Sequence, residues 1–359
     1  EYAHDAFGNR QSVTIKGEGL LPLSGRTTTT YWGERTGDGA GAYTSNGRFA
    51  VEIYNALDHK EERSYDGRFG VMEKLRGPNE LDTVWSYDDF GRVLTETRAD
   101  TTVTTTTRSD CQSGCPSNGA LKLTTTSTGQ PTTTVYTDNL GRELRTETQG
   151  FDGTAIYVDT TYDALGRVKT KTRPYYSTDS AITSTINYDI QSRPTSTVAQ
   201  DSNGTWQTST TEYFGLETIG TNAKGQKTRR FTNARGELIQ VEQGYQTIGV
   251  THSVTDYYYD AFGNLTKTID DHLNEIVNNY DIRGRKINMD DTDMGYWTYE
   301  YNALGELTEQ TDAKNIATVM IYDELGRMTQ RIDNFGYSGE IAQWDYDTAS
   351  KGIGKLHKI

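Results

Sequence analysis

Short segments in which polar and apolar residues alternate recur along the chain. Residues 167–173 read RVKTKTR, so charged side chains alternate with Val168, Thr170 and Thr172. A period of two is typical of a β-strand. We find no sustained apolar period of three to four. Threonine-rich runs such as 101–107 disfavour helices because branching at Cβ restricts χ1. The pattern predicts an all-β protein of short strands, with few and short helices.

A six-residue motif that starts with tyrosine separates many of these strands. Its clearest copies are 87–92 (YDDFGR), 162–167 (YDALGR), 259–264 (YDAFGN), 280–285 (YDIRGR), 301–306 (YNALGE) and 322–327 (YDELGR). A copy at 136–142 carries one extra residue, and 188–193 and 231–236 are degenerate. The tyrosines at 259, 280, 301 and 322 are spaced by 21 residues. This length fits two strands of about six residues and two turns. We therefore predict a series of antiparallel β-hairpins, with a second turn at 312–315 and the next strand at 316–322.

The residue types of the motif suit a turn and its packing. Tyrosine ends a strand with a large ring that packs on neighbouring repeats. Aspartate accepts a hydrogen bond from the backbone two residues on, and glycine supplies a positive φ. We assign this structural role to Tyr87, Asp88, Gly91, Arg92, Tyr162, Asp163, Gly166, Arg167, Tyr259, Asp260, Gly263, Tyr280, Asp281, Gly284, Arg285, Tyr301, Gly305, Tyr322, Asp323, Gly326 and Arg327.

The repeats predict one domain rather than several. A single hairpin is marginal in water, so each repeat must pack on its neighbours. Strand twist favours coiling of such a long sheet into a spiral or partial shell. We predict a single repeat array over 1–359, with the clearest 21-residue repeats in 259–345. Residues 17–49 are glycine-rich and irregular, and we expect an insertion or a degenerate repeat there.

Composition supports a large polar β-structure and excludes some partners. Only 33% of the residues are hydrophobic, which favours disorder, but 24 Tyr and 5 Trp argue for a folded chain. The net charge of −14, without a cluster of Lys or Arg, disfavours nucleic acid as a partner. The chain has no apolar run of the length that spans a membrane.

The residue types that carry chemistry give little support for a metal or a catalytic centre. The two cysteines, Cys111 and Cys115, favour a local disulfide of an exported protein. Zinc would need two further ligands near them. An acidic patch is a calcium candidate, but it lacks the spacing of known calcium loops; it comprises Asp270, Asp271, Asp290, Asp291 and Asp293. No G-x-S-x-G nucleophile motif occurs. We expect no catalytic residue, no metal and no cofactor, and hence no enzyme.

The recurring Tyr-Asp-x-x-Gly-Arg pattern resembles the Rhs/YD-repeat family. This family includes bacterial Rhs polymorphic toxins, shell-forming subunits of insecticidal Tc toxin complexes, wall-associated bacterial proteins and teneurins. The resemblance covers nearly the whole chain. It implies a spiral of β-strands that winds into a hollow shell, which in the toxins encloses a C-terminal toxic domain. The Asp-Pro-containing core motif of the family toxins is missing, so their autoproteolysis is not expected here.

These observations predict a structural shell or scaffold segment of a secreted or cell-surface bacterial protein of Rhs or Tc type. The segment would enclose or present a toxin or effector domain, and its partners would be the rest of the shell and that C-terminal cargo domain. Both chain ends read as parts of repeats, so we expect a fragment without its own signal. The alternative is an adhesion or carbohydrate-binding scaffold that contacts a cell-surface glycan or protein. Its candidate aromatic platforms are Trp32, Trp85, Trp206, Trp297 and Trp344.

Overall fold

The structure is a computed structural model and describes residues 1–16, 25–35, 43–201, 203–246, 252–336 and 339–359. Every regular element in these ranges is a β-strand, and no helix there is long and apolar enough to cross a membrane. The strands are β1 (Tyr2–His4), β2 (Arg10–Ile15), β3 (Arg26–Arg35), β4 (Tyr43–Tyr54), β5 (Lys60–Asp66), β6 (Val71–Arg76), β7 (Asp82–Tyr87), β8 (Val93–Thr97), β9 (Val103–Asp110), β10 (Leu121–Ser127), β11 (Gln130–Thr137), β12 (Glu143–Gln149), β13 (Ala155–Tyr162), β14 (Val168–Thr172), β15 (Tyr175–Tyr176), β16 (Thr183–Tyr188), β17 (Pro194–Gln200), β18 (Trp206–Phe214), β19 (Glu217–Thr221), β20 (Lys227–Thr232), β21 (Leu238–Gln243), β22 (Ser253–Tyr259), β23 (Leu265–Asp270), β24 (Glu275–Tyr280), β25 (Lys286–Asp291), β26 (Gly295–Tyr301), β27 (Leu307–Thr311), β28 (Ala317–Tyr322), β29 (Met328–Phe335), β30 (Glu340–Gln343), β31 (Asp345–Tyr346) and β32 (Leu356–Lys358).

The strands pair as antiparallel hairpins. Of the described strands, 30 belong to one sheet, and β31 pairs with β32 in a second, two-stranded sheet. Pairing mostly follows chain order; the exception is the short β15, which pairs with β13, while β14 pairs with β16. The prediction of an all-β, antiparallel hairpin-repeat fold is confirmed.

The residues form two compact units. Unit 1 comprises Glu1–Val103 and Val277–Ile359, and unit 2 comprises Thr104–Ile276. Unit 2 is one continuous segment of hairpins. Unit 1 combines the first hairpins of the chain with the last ones, so contacts within it join residues far apart in sequence.

A β-bulge marks the start of the motif. The strand register shifts between Thr161 and Tyr162, and equivalent shifts precede Tyr259, Tyr301 and Tyr322. The glycine of the motif then has a left-handed conformation, with φ of 79° at Gly166. A tight turn followed by a left-handed glycine gives a bulge of this kind, which bends the strand and increases its local twist.

The structure contains little hydrophobic core. Among the described residues, the buried hydrophobic side chains are Val51 and Tyr136. Val51 lies on β4, which pairs with β3. Of the irregular segment 17–49, residues 17–24 and 36–42 lie outside the described residues. The β3 residue Arg35 is also buried, and its guanidinium lies 2.7 Å from Glu52. Because so little apolar surface is buried, hydrogen bonds and polar contacts between repeats must hold neighbouring hairpins together.

Candidate functional site

The motif aspartate builds its own turn. In the copy at 162–167, the Asp163 amide donates to the Arg167 carbonyl at 2.9 Å, and the Gly166 amide donates to the Asp163 carbonyl at 3.0 Å. One carboxylate oxygen of Asp163 accepts from the backbone amides of Leu165 and Arg167, at 2.9 and 3.0 Å. The other accepts from Nε of Arg167 at 2.7 Å. The aspartate therefore fixes the turn and orients the arginine that ends the motif.

The oriented arginine contacts the next repeat. The Arg167 guanidinium lies over the ring of Tyr188 at 4.5 Å from its centroid and donates to the Ser192 hydroxyl at 3.1 Å. In return, the Tyr188 hydroxyl donates to the carbonyl of Val168, the residue after that arginine, at 2.8 Å. We call this combination of arginine, following tyrosine and backbone carbonyl the inter-repeat contact. It couples two successive turns through a cation–π interaction and a hydrogen bond.

The inter-repeat contact recurs along both units. Arginine lies over the next tyrosine in the pairs Arg142–Tyr162, Arg193–Tyr213, Arg285–Tyr301 and Arg327–Tyr346, at 4.2 to 4.8 Å. The tyrosine hydroxyl donates to a carbonyl of the preceding repeat in the pairs Tyr162–Glu143, Tyr213–Pro194, Tyr259–Leu238, Tyr301–Lys286 and Tyr322–Leu307, at 2.8 to 2.9 Å. Tyr87 donates in the same way to the carbonyl of Met72.

Electrostatics match these roles. Burial raises the pKa of Tyr162, Tyr301 and Tyr322, so these hydroxyls stay protonated and able to donate. Hydrogen bonds from the backbone, and from the arginine of the same turn, lower the pKa of Asp88 and Asp281. Both carboxylates therefore remain charged acceptors at neutral pH.

The assigned motif residues lie in turns, one set per repeat. Their tyrosines end β7, β13, β22, β24, β26 and β28, and their aspartates and glycines form the turns that follow. The glycines at 91, 166, 263, 284, 305 and 326 all have positive φ, from 74° to 90°. The sequence led us to the turn role of aspartate and glycine. It did not reveal the arginine stacking or the target of the tyrosine hydroxyl, which involve a second repeat.

Cys111 and Cys115 form a disulfide in the loop between β9 and β10. An open cleft adjoins the loop and is lined by Ser117, Arg142, Arg145 and further polar residues. The guanidinium of Arg145 donates to both oxygens of Asp159, at 2.5 and 2.8 Å. The charged groups of the cleft thus bind one another.

The acidic patch lies at strand ends and in the turns that follow them. Asp270 ends β23, Asp290 and Asp291 end β25, and Asp271 and Asp293 lie in the turns. Asp270, Asp271 and His272 each offer one atom, all within 4.8 Å of one another, and two of the three residues are exposed. The Asp291 carboxylate accepts from the amides of Asp293 and Met294, at 2.8 and 2.9 Å. The Asp291 carboxylate therefore stabilises its own turn, and our expectation that no metal binds at this patch stays a prediction.

The tryptophans differ in exposure. Trp206 is 60% exposed, whereas Trp32, Trp85, Trp297 and Trp344 are half-buried. The indole nitrogen of Trp32 donates to the carbonyl of Arg10 at 3.1 Å, which is a contact between neighbouring strands. Of the five tryptophans, Trp206 is therefore the best placed to stack on a ligand.

Unit 1 also contains long-range contacts that we did not predict from the sequence. Arg26 forms an ion pair with Glu306 at 2.7 Å. The side-chain amide of Asn79 donates to the Ile353 carbonyl at 2.9 Å and accepts from the Ile353 backbone amide at 2.8 Å. We call these contacts the unit 1 seam. One signal in the sequence points to it, because Glu306 stands where most copies of the motif carry arginine.

Comparisons with known proteins agree with this geometry. Residues 301–338 match the family model described as RHS Repeat. No curated protein matches the sequence. The crystal structure of TcdB2-TccC3 superimposes with a TM-score of 0.74 at 15% identity over 99% of this chain. A form of TcdB2-TccC3 without its hypervariable C-terminal region gives a TM-score of 0.73 at 13% identity, also over 99% of the chain.

A Tc holotoxin pore from Photorhabdus luminescens has the same fold. It gives a TM-score of 0.69 at 12% identity over 98% of this chain. The chain spans less than a quarter of the length of these solved chains, from 22% to 24%. At such identities the likeness shows the fold. Together with the repeat match, it confirms the resemblance to the Rhs/YD-repeat family.

Proposed function

Because the chain carries an RHS repeat and has the fold of the Tc toxin structures, we propose that it is a scaffold segment of a larger secreted or cell-surface protein of Rhs or Tc type. In this proposal the sheet forms part of a wall that encloses or presents another domain of the same protein. Its partners are the remaining wall and that domain. The segment itself is not catalytic.

The inter-repeat contact is the observation that carries the proposal. A wall must hold its shape without a thick hydrophobic core, because both of its faces are accessible. Here successive turns, such as those that carry Arg167 and Tyr188, are joined by a guanidinium over a tyrosine ring and by a hydroxyl bound to a carbonyl. The motif residues are occupied by these structural contacts, which favours a scaffold over a centre of chemistry. The fold likeness over 99% of the chain supports the same conclusion.

Protease protection in the natural protein that contains residues 1–359 tests the proposal. The C-terminal domain is digested within the whole protein and, separately, as an isolated domain, and cleavage is followed by mass spectrometry. Enclosure predicts much slower cleavage of the domain in the whole protein. Equal cleavage rates in the two samples would refute enclosure.

A glycan array probed with residues 1–359 tests the alternative role in adhesion. Specific binding that is lost in Trp206→Ala would favour a carbohydrate-binding scaffold, since Trp206 is the exposed tryptophan. A scaffold without this role predicts no specific binding.

A further inference from the structure

Two turns of this chain have nearly the same sequence and lack the arginine of the motif. Residues 233–237 read NARGE and residues 302–306 read NALGE, so they differ only at Arg235 and Leu304. In both turns the asparagine side chain donates to the glutamate carboxylate, at 2.5 Å for Glu237 and 2.6 Å for Glu306. Glutamate occupies the position from which arginine contacts the next repeat elsewhere. In both turns the glutamate carboxylate instead binds a guanidinium from another position.

The turn at 233–237 obtains its guanidinium locally. Arg235 pairs with Glu237 at 2.8 Å. The same guanidinium donates to the carbonyls of Asp260 and Ala261, at 3.1 and 2.8 Å. Asp260 is the motif aspartate of the following repeat, so Arg235 restores the link between the two turns.

The turn at 302–306 has Leu304 where the other turn has Arg235. Its guanidinium comes from the N-terminal segment of unit 1. Arg26 of β3 lies 2.7 Å from one oxygen of Glu306 and 3.1 Å from the other. It also donates to the carbonyl of Asp323 at 2.8 Å. Asp323 is the motif aspartate of the following repeat. Arg26 therefore makes the same two kinds of contact as Arg235. Each arginine pairs with the glutamate of its turn and donates to the carbonyl of the next motif aspartate.

The glycine of the following turn leaves space for the ion pair in both cases. A Cβ atom on Gly263 would lie 3.0 Å from the Glu237 carboxylate. A Cβ atom on Gly326 would lie 2.8 Å from the Glu306 carboxylate and 3.2 Å from the Arg26 guanidinium. The two sites therefore share their geometry, although one arginine is two residues from its glutamate and the other is 280 residues away.

We infer that Arg26 replaces the missing arginine of the repeat at 301–306 and thereby fastens the N-terminal hairpins of unit 1 to its C-terminal repeats. The side chains of Arg26 and Glu306 are only 22% and 14% exposed, so solvent screens this pair less than a surface pair. Loss of Arg26 leaves a poorly solvated carboxylate without its cation. It also releases β3 from the turn at 323–327. Asn79 and Ile353 form the second contact of the same seam.

Hydrogen exchange of residues 1–359 tests this role, with Arg26→Met as the principal variant. We expect amides of the turn at 323–327 and of β3 to exchange about 5- to 30-fold faster, the factor for a loss of one to two kcal/mol. Unit 2 amides should not change. The control is Arg331→Met, which removes a cation from a more exposed pair with Asp333. Equal effects of Arg26→Met and Arg331→Met would overturn the inference, as would faster exchange spread evenly over unit 1.

A second variant separates the two functions of Arg26. Leu304→Arg converts NALGE into NARGE, the sequence of the turn at 233–237, in which Arg235 of the same turn pairs with the glutamate. In the double variant Leu304→Arg, Arg26→Met, the turn at 323–327 should regain its slow exchange. β3 should remain fast, because no guanidinium then joins it to that turn. Recovery of neither segment, or of both, would overturn the inference. If Arg26→Met does not fold, Arg26→Lys replaces it: a retained charge without the forked geometry should give a smaller change in the same two segments, and no change there would overturn the inference.

Discussion

Replacement of Arg285 by methionine tests whether the inter-repeat contact stabilises the sheet. Arg285 lies in the turn after β24, where its guanidinium binds Asp281 at 2.6 Å. It donates to the carbonyl of Asn302 at 3.0 Å and lies 4.8 Å from the ring centroid of Tyr301. Methionine keeps most of the apolar stem and removes all three polar contacts, so the change isolates the guanidinium.

The expected loss follows from these three contacts. The ion pair, with side chains 26% and 19% exposed, contributes about 1 kcal/mol after allowance for solvent screening. A hydrogen bond from a charged donor to the Asn302 carbonyl adds about 1 kcal/mol. The cation–π contact with Tyr301 adds about 0.5–1 kcal/mol. Arg285→Met should therefore reduce the free energy of local opening by about 2.5–3 kcal/mol, or roughly 60- to 140-fold in the opening equilibrium.

Native-state hydrogen exchange measures this loss where it occurs. The amide of Gly305 donates to the Asn302 carbonyl at 3.0 Å and reports on the turn that Arg285 supports. Arg331→Met is the matched control, since the Arg331 side chain is 46% exposed and its effect should stay below about 0.5 kcal/mol. The exchange rate of the Gly305 amide is compared between Arg285→Met and Arg331→Met. If the two rates differ by less than a factor of two, the contact is no stronger than a surface ion pair and the reasoning is wrong.

Three further changes have defined outcomes. The Arg327 guanidinium holds the pKa of Asp347 at about 2, below its usual 3.8. Because the folded-state pKa is depressed, the stabilisation by this ion pair is present above about pH 4 and is lost as pH falls toward 2. Urea unfolding should show that the free energy of unfolding falls by about 1–2 kcal/mol over this range. The Asp347→Asn variant should not show this fall. Tyr322→Phe removes a hydroxyl donor and should cost about 1 kcal/mol of local stability by hydrogen exchange, and an unchanged rate would contradict its role. Reduction of Cys111 and Cys115 opens only a short loop, so thermal unfolding should report a loss of at most about 2 kcal/mol, and a larger loss would show that the disulfide supports more than its loop.

The inter-repeat contact explains why the motif ends in arginine. Arginine presents several donors in a planar fork and stacks on aromatic rings, so one side chain can bind its own aspartate, the next turn and the next tyrosine. Lysine has a single charged nitrogen and cannot make these contacts together. The two copies that end in glutamate, at Glu237 and Glu306, obtain a guanidinium from Arg235 and Arg26.

The sequence by itself determined the strands and turns of this protein. Alternation predicted a strand at 167–173, which is β14, and the predicted turn at 312–315 closes with the Asn315 amide bonded to the Asp312 carbonyl at 2.9 Å. Each of these features depends on hydrogen bonds and backbone preferences within about five residues, so the residue types of one repeat are sufficient to encode it.

Only the tertiary structure decided how the repeats are joined. The stacking of Arg167 on Tyr188 depends on the register of two hairpins, and the pairing of Arg26 with Glu306 depends on the path of the chain over 280 residues. No local preference specifies such a path, because many positions in this chain offer an arginine or a carboxylate of equal chemistry. The departure of Glu306 from the motif showed that a cation was needed there. The fold alone showed that Arg26 provides it.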